Sequence, residues 1–397
     1  MGSVGERLAR VDGTALIRSI RLGRAPNCSS LGNVVNVLAW SQVAVGALWV
    51  AAESWRSRRS RPEPGGGETR AVDEPPALVR RGEKNGGPHE AHVQLTRACP
   101  LPCPSCHVSP EAKGESVPLP VVEARFRELS SQGVFHVAVG GGEALAYPEL
   151  ARVVEAAHAA GLSIGLTTSG RGRVDTARGF DQINVSLDGL GEVYERARGY
   201  DGAQEALHAI QRLAAQGARV GANIVLSRDT FPSLRDTVNA AVQSGARDIH
   251  LLRLKPAGRG TEPYLSRRLA PEQALQLWPL LSSLVEEFAG VSFRVDCAMT
   301  PWLAAHGVDP ERMRAFGWTG CHGGDALVAV DVNGRRTPCS FVDVEPSSDW
   351  ISPRLPEPCA SCDYLDICRG GCHAVAQHLR GELLVPDPEC PLVIAHG

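Results

Sequence analysis

The chain carries no strong charge of either sign. Its 41 Lys and Arg stand against 44 Asp and Glu, a formal net charge of −3, so no global field favours nucleic acid or an acidic membrane surface. Cysteine is too sparse for a disulfide scaffold, at twelve in 397 residues; small secreted domains are far denser. Twelve is nevertheless many for an enzyme of a reducing compartment, and ten of them fall in two groups, at 99–106 and 321–390. Clustered C-x2-C spacing in a large chain indicates metal or cluster ligation rather than disulfides. That places the protein in the cytoplasm. No apolar run precedes Cys28, which excludes a lipoprotein site there.

With 43% hydrophobic and 21% charged residues, the chain has the composition of a globular protein of two or three domains. Residues 1–30 are basic and show little apolar periodicity. Residues 31–52 hold no charge, and as a helix would run about 33 Å, enough to cross a hydrocarbon core of about 30 Å. Arg56, Arg58, Arg59 and Arg61 follow, the flank expected on a cytoplasmic side. Asn33, Asn36, Ser41 and Gln42 weaken insertion and define no wet face. Three readings stay open: an anchor tethering the protein to the inner face of the membrane, a helix that is buried or docks a partner, and a peptide-like leader. Residues 53–88 form a linker rich in Pro and Gly.

From residue 89 to about 300 apolar strand patterns alternate with amphipathic helices. Strands are expected at His92–Leu95, Val134–Val139, Ser163–Thr168, Ile183–Leu187, Val220–Leu226 and Ile249–Leu254. Helices are expected near 118–131, 147–160, 171–179, 204–216, 230–244 and 271–288. Pro118 and Pro271 suit helix starts, and Gly133, Gly161, Gly217 and Gly245 suit helix stops. Six βα units in a row imply the α/β class, a parallel sheet with right-handed crossovers curled as a partial (β/α)6 TIM-like barrel. Ligands of such sheets sit at the carboxyl ends of the strands. Residues 301–397 read as a small, irregular, cysteine-rich cluster-binding domain.

Cys99, Cys103 and Cys106 lie on a loop at that carboxyl edge, just after the first strand. Three thiolates at C-x3-C-x2-C can hold three irons of a cubane cluster and leave the fourth open to a small molecule. One βα unit later comes Gly140-Gly141-Gly142-Glu143, where missing Cβ atoms let backbone approach a ligand. The third strand ends Thr167-Thr168-Ser169-Gly170 and the fourth Ser186-Leu187-Asp188-Gly189. Together these resemble the radical S-adenosylmethionine superfamily. The resemblance implies a [4Fe-4S] cluster on the three cysteines whose open iron binds S-adenosylmethionine. It implies that Gly141, Gly142 and Glu143 hold the methionine amino group, and that Ser169 replaces the usual Asn. Ser186 would face the ribose or methionine carboxylate, Asp188 the barrel mouth, and Arg198 the cofactor carboxylate. Asn223 and the loop 255–260 fall at the same rim. One departure stands out: relatives place an aromatic before the third cysteine, whereas this chain has Ser105, with His107 just after Cys106. Either His107 supplies the ring or backbone and apolar groups hold adenine.

The later cysteines run Cys321-x17-Cys339, Cys359-x2-Cys362-x5-Cys368-x3-Cys372 and Cys390, with Gly334 in a hairpin-like turn five residues before Cys339. This spacing resembles the SPASM extension of the same superfamily, which implies one or two auxiliary [4Fe-4S] clusters. Cys359, Cys362, Cys368 and Cys390 would hold one, and Cys321, Cys339 and Cys372 the other. No cysteine shortly before Cys321 completes the second set. Its fourth iron is open, uses Cys297 or His322, or binds substrate. Structural zinc is the competing use of such thiolates.

The resemblance implies reductive cleavage of S-adenosylmethionine to a 5′-deoxyadenosyl radical that abstracts a substrate hydrogen. The expected substrate is a ribosomally made peptide or protein, crosslinked or oxidised, with a flavodoxin- or ferredoxin-like reductant. Sulfatase-maturing relatives carry an acidic base right after the second extension cysteine; Ser340 here speaks against that branch. No segment before the barrel reads as the three-stranded winged module that grips leader peptides, so a separate protein or the N-terminal segment would take that role. Tailoring of a small molecule and a non-catalytic, membrane-tethered iron–sulfur carrier are the alternatives.

Overall fold

The computed structural model describes residues 88–347, 350 and 354–396. The 31–52 stretch lies outside the described residues, as do residues 1–30 and the linker up to 87. Among the described residues no helix is long and apolar enough to cross a membrane.

One sheet dominates. Its strands are β1 (Glu90–Thr96), β2 (His136–Gly141), β3 (Ser163–Thr168), β4 (Gln182–Ser186), β5 (Val220–Leu226), β6 (Asp248–Arg253), β7 (Ser292–Val295), β8 (Leu327–Val330) and β9 (Arg336–Thr337). They lie in the order β7-β6-β5-β4-β3-β2-β1-β8-β9. All neighbours are parallel except β8 and β9. The six expected strands are present within two residues, and the sheet stays open as a partial barrel. It is wider than the sequence implied. β7 adds to one edge, and β8, from the cysteine-rich region, pairs in parallel with β1 through His92↔Ala329 and Val93↔Val330. The hairpin expected around Gly334 joins β8 to β9, with Gly334 at φ +87°.

The helices over this sheet are α1 (Leu119–Ser131), α2 (Leu150–Ala159), α3 (Gly191–Arg198), α4 (Ala203–Ala215), α5 (Leu234–Gln243), α6 (Leu277–Glu287) and α7 (Thr300–Ala305). Strand residues alternate across the sheet. Ala91, Val93 and Leu95, with Ile164, Leu166, Ile183 and Val185, pack against Phe126, Leu129, Val153, Ile210 and Leu213 in one continuous core. Each such side chain contributes about 1.5–3 kcal/mol on burial. The opposite, inner face of β1 carries Glu90, His92 and Gln94.

Two helix expectations change. Residues 171–179 form only a one-turn 3-10 segment, Val174–Thr176, because Gly170 and Gly172 take φ of +81° and +122°, which breaks a helix at its start. The stretch 271–288 is split into Pro271–Ala274 and α6. Pro279 has no N–H to offer the Leu275 carbonyl, so a continuous helix fails there, whereas the first turn of a new one tolerates it. α3 was not expected. Tyr194 is its one buried residue, too little for an apolar stripe.

Candidate functional site

The three-cysteine loop is anchored from several sides. Cys99 N–H donates to Glu111 O at 2.8 Å and Arg97 N–H to Glu115 O at 2.8 Å. From β2, Gly142 N–H donates to Thr96 O at 2.7 Å and Glu143 N–H to Ala98 O at 2.8 Å. That approach needs glycine: a Cβ on Gly142 would lie 2.2 Å from Ala98 O. From the far rim, Arg259 N–H donates to Cys106 O at 2.9 Å and Arg259 Nη2 to Leu101 O at 3.3 Å. The 255–260 loop thus braces the cysteine loop itself.

Cys99, Cys103, Cys106 and Glu143 come together. Burial, then the neighbouring charges of Glu143, Cys103 and Cys106, push the Cys99 thiol up. The buried Glu143 carboxylate joins the β2 and β3 ends: Oε1 accepts from Leu145 N–H and the Thr168 hydroxyl, and Oε2 from Ser169 N–H and the Ser169 hydroxyl. Its lone pairs are therefore used within the chain, and an incoming ammonium group would compete with the two rotatable hydroxyls. Arg198, at the end of α3, sits 2.7 Å from Asp188 through Nε, while Nη1 lies 3.9 Å from Cys103 Sγ. Asp188 also accepts from Val225 N–H at 2.6 Å, so the β4 and β5 ends aim this guanidinium at the cysteine loop. Ser186 faces Asn223 across the β4–β5 ladder. Buried Ser105 Oγ and Asn223 Oδ1 have no protein partner. These orphaned polar atoms beside the cysteine loop, the glycine approach and a guanidinium near a thiol fit a polar, zwitterionic cofactor on a three-thiolate cluster.

The later cysteines form two groups. Cys359, Cys362, Cys368 and Cys390 line one cavity with Pro301 and Tyr364. Burial and then the charges of Cys390 and Cys362 push the Cys359 thiol up to about 11. Cys321, Cys339 and Cys372 form the other group. Burial and then Cys321 push the Cys339 thiol up, with Cys372 adding to it. Cys297 lies near this second group: burial, then the charges of Asp296, Cys321 and Cys372, push its thiol up. The backbone agrees, since Ala298 O and Cys372 N–H are bridged by one ion pair. Arg253 Nη1 donates to Ala298 O at 2.7 Å and to Asp387 Oδ2 at 2.6 Å, and Cys372 N–H donates to the same oxygen at 3.0 Å. No described cysteine is in a disulfide. Among the described residues no group of three or more Cys, His, Asp or Glu is placed to hold a single metal ion. Thiols gathered as a four and a three are the donor set a cubane takes, whose iron would ionise its ligands.

The sequence pointed to His107, Lys255 and Ser340 here, but not to Phe341, Asp296, His92 or Glu90, which the fold brings to them. His107 packs against Phe341 with ring centroids 4.8 Å apart. Its ring keeps an exposed edge, yet desolvation by the close packing around it, followed by the Lys255 charge, brings its imidazole down to about 4. Lys255 lies 4.3 Å from the Phe341 ring centroid and pairs with Asp296. His92 bonds Glu90 on one side and Ser340 on the other. The signal available was the polar alternation Glu90-x-His92-x-Gln94 within an otherwise apolar parallel strand.

Comparison with known proteins agrees with this geometry. The Radical SAM superfamily model matches residues 93–241. The mycofactocin maturase MftC of Mycobacterium tuberculosis is 30% identical over 329 residues, 75% of this chain and 81% of that protein. The PqqA peptide cyclase of Ruegeria pomeroyi is 28% identical over 332 residues, 75% of this chain and 86% of that one. In fold, the chain is similar to Streptococcus suis SuiB bound to precursor peptide SuiA, with a TM-score of 0.63 at 16% identity over 86% of this chain and 87% of SuiB. It is also similar to anSMEcpe with bound AdoMet and a peptide, with a TM-score of 0.58 at 15% identity over 76% and 94% of the two chains. The chain belongs to the radical SAM superfamily, among its SPASM-bearing peptide maturases.

Proposed function

We propose that this enzyme modifies a ribosomally made peptide by hydrogen-atom abstraction. Cys99, Cys103 and Cys106 hold the S-adenosylmethionine-binding cluster, and the two later cysteine groups hold auxiliary clusters. The carrying observation is the meeting of two loops: His107, next to Cys106, packs at a tilt against Phe341, two residues past Cys339. A substrate at that seam lies between the cysteines expected to start the radical reaction and those suited to receive an electron. The names of MftC and PqqA peptide cyclase support a peptide substrate.

When bound, the cluster and S-adenosylmethionine supply one-electron chemistry that ends in hydrogen abstraction. The chain's own residues bind and orient. The Gly141-Gly142 backbone holds the cysteine loop against β2. The Asp188–Arg198 pair keeps a cation beside the Cys103 sulfur, where it favours anionic ligands and a cofactor carboxylate. Glu143, Ser169, Ser186 and Asn223 ring the opening with polar groups, and the buried apolar face behind them keeps water out. A flavodoxin- or ferredoxin-like protein is the proposed reductant.

Anaerobically reconstituted full-length protein should carry about 12 iron atoms per chain, four per cubane. With dithionite and S-adenosylmethionine it should release 5′-deoxyadenosine, and a short peptide encoded beside its gene should change mass. Reduced, iron-loaded protein that releases no 5′-deoxyadenosine would overturn the assignment.

A further inference from the structure

We propose that Arg294, on the inner face of β7, grips a carboxylate of the bound peptide and so sets which peptide residue meets the radical; this rests on the peptide-modifying reading above. Side chains of β4 to β7 alternate across the sheet. Val185, Ile224, Leu251 and Val295 turn to the helix-covered core. Their chain neighbours Ser186, Asn223, His250 and Arg294 therefore turn the other way, into the partial barrel. The ladder sets these four side by side: Ser186 against Asn223, Asn223 against His250, and His250 against Arg294. One rung thus runs from the polar groups at the cofactor opening to a cation three strands away, about 14 Å along the sheet at about 4.8 Å per strand.

The Arg294 guanidinium is the unmatched group on that rung. Its buried Nε and Nη2 have no hydrogen-bond partner among the described residues. These two N–H groups make up one edge of the guanidinium. With the same edge Arg219 holds Asp248, Nε donating to Oδ2 at 2.9 Å and Nη2 to Oδ1 at 2.7 Å. Other buried cations have carboxylate partners too: Arg253 has Asp387, and Lys255 has Asp296. The Arg294 charge is felt by Glu90 on β1, His136 on β2 and His250 on β6, which puts it inside the barrel. None of the three pairs with the open edge. Glu90 Oε1 lies 3.1 Å from His92 Nε2 instead, and burial holds the His136 and His250 imidazoles below their ordinary value.

Two donors of a cation left dry and unpaired cost stability. A planar carboxylate supplies both missing acceptors at once, in the bidentate form that guanidinium groups favour. A carboxamide has one carbonyl oxygen to offer and fills half of the edge. An acid fixed on β7 also fixes the register of the peptide along the rung. The residue presented at Asn223 and Ser186 is then set by its distance from that acid.

Two measurements test this in the anaerobically reconstituted full-length enzyme. The first needs no turnover: methylglyoxal labels arginine, and mass spectrometry reads the labelled positions. Arg294 should label faster than the paired Arg219 and Arg253; an equal rate overturns the open edge. N-acetylglycine carries a terminal carboxylate and N-acetylaspartate α-amide a side-chain one. The probe of the matching source should slow Arg294 labelling about tenfold at about ten times its dissociation constant, and N-acetylglycinamide should not. Labelling that neither acid slows, or that the amide slows equally, overturns the proposal. So does protection by S-adenosylmethionine alone, which would give this edge to the cofactor carboxylate. The second uses the peptide that gains a modification in the assay above, made with each carboxylate in turn replaced by the carboxamide. For one of these replacements the wild-type KM should rise about 10- to 100-fold, the range of a hydrogen bond to a charged group. In Arg294→Gln the acid and its amide should share one KM, and Arg294→Lys should restore part of the preference. A merely structural loss would weaken both peptides and keep their ratio, so a preference that survives Arg294→Gln overturns the proposal. A wild-type enzyme that releases no 5′-deoxyadenosine overturns the parent reading instead, and the labelling result is read without it.

Discussion

Alanine at two glycines of one triplet, Gly140 and Gly142, should separate the support of the radical site from its surface. A Cβ on Gly142 would stand 2.2 Å from Ala98 O, 2.7 Å from Ala98 C and 2.9 Å from Arg97 C. All three are backbone atoms, so no rotamer change relieves them. Carbon–carbon contacts settle near 3.5–4.0 Å, so the stretch leading into Cys99 must retreat by about 1 Å. Two hydrogen bonds cross that gap, Gly142 N–H to Thr96 O at 2.7 Å and Glu143 N–H to Ala98 O at 2.8 Å. Losing or stretching them costs about 0.5–1.5 kcal/mol each, and overpacking adds about 1–3, for about 2–6 kcal/mol concentrated where Cys99 is positioned. On Gly140, by contrast, a Cβ meets nothing within 4 Å and no unusual φ is required. Gly142→Ala should therefore lose the cluster at Cys99, Cys103 and Cys106, seen as about four fewer irons per chain. Gly140→Ala should keep it. Equal iron loading in the two variants would refute the reasoning, because the sole difference invoked is the backbone contact.

Other outcomes follow from buried charge and from the thiol groups. Arg253→Met strands Asp387 and Glu389, its partners at 2.6 and 2.8 Å. With Asp387 fully buried, the loss should be about 3–5 kcal/mol, read as a lower denaturant midpoint; an unchanged midpoint refutes it. Cys297→Ala should alter the electron paramagnetic resonance signal of the cluster assigned to Cys321, Cys339 and Cys372 and spare the other two signals. An unaltered spectrum places the fourth ligand elsewhere. His250 is held by burial, and next by the Arg294 charge, at about 3 against an ordinary 6.5. The unfolded chain then binds this proton first as pH falls, so stability is whole above pH 6.5 and declines from there down to about 3. His250→Gln should remove about 1.4 kcal/mol per pH unit of that acid limb, measured by urea unfolding at a series of pH values; an identical slope refutes it.

The alternating strands and helices were legible because parallel strands buried on their outer face read as apolar runs of five to seven, and Gly133, Gly161, Gly217 and Gly245 close four helices with positive φ. The cysteine groups were legible because ligand spacing survives in linear sequence. β7 and β8 were not. Ser-Phe-Arg-Val and Leu-Val-Ala-Val are four-residue strands, too short for a periodic signal, and β8 is defined by its long-range ladder with β1. The Arg253–Asp387 pair and the His92–Ser340 bond join residues 134 and 248 positions apart; no local pattern records such separations. Cys297 lies within electrostatic reach of Cys321 and Cys372, and the next residue, Ala298, is tied to the Cys372 backbone through Arg253 and Asp387, a proximity that spacing alone does not record.

The position of β1 explains how one substrate could be served by both cysteine regions. β1 has β2 on one side and β8 on the other. Its carboxyl end runs directly into Cys99, β2 delivers the glycines that brace that loop, and β8 turns through β9 into Cys339. The spacing between the radical cluster and the Cys339 group is thus set by adjacent rungs of one hydrogen-bonded ladder. A linker between two separate bodies would leave it to vary. A one-residue slip of β8 against β1 would also carry Ser340 away from His92, because side chains change face at every residue. The two cysteine regions are coupled through one strand register, and a residue inserted into the β8–β9 turn should uncouple them. In such a variant the iron content would be kept, while the 5′-deoxyadenosine released per modified peptide rises. Loss of iron with an unchanged ratio would instead mean that the hairpin serves only to hold its own cluster.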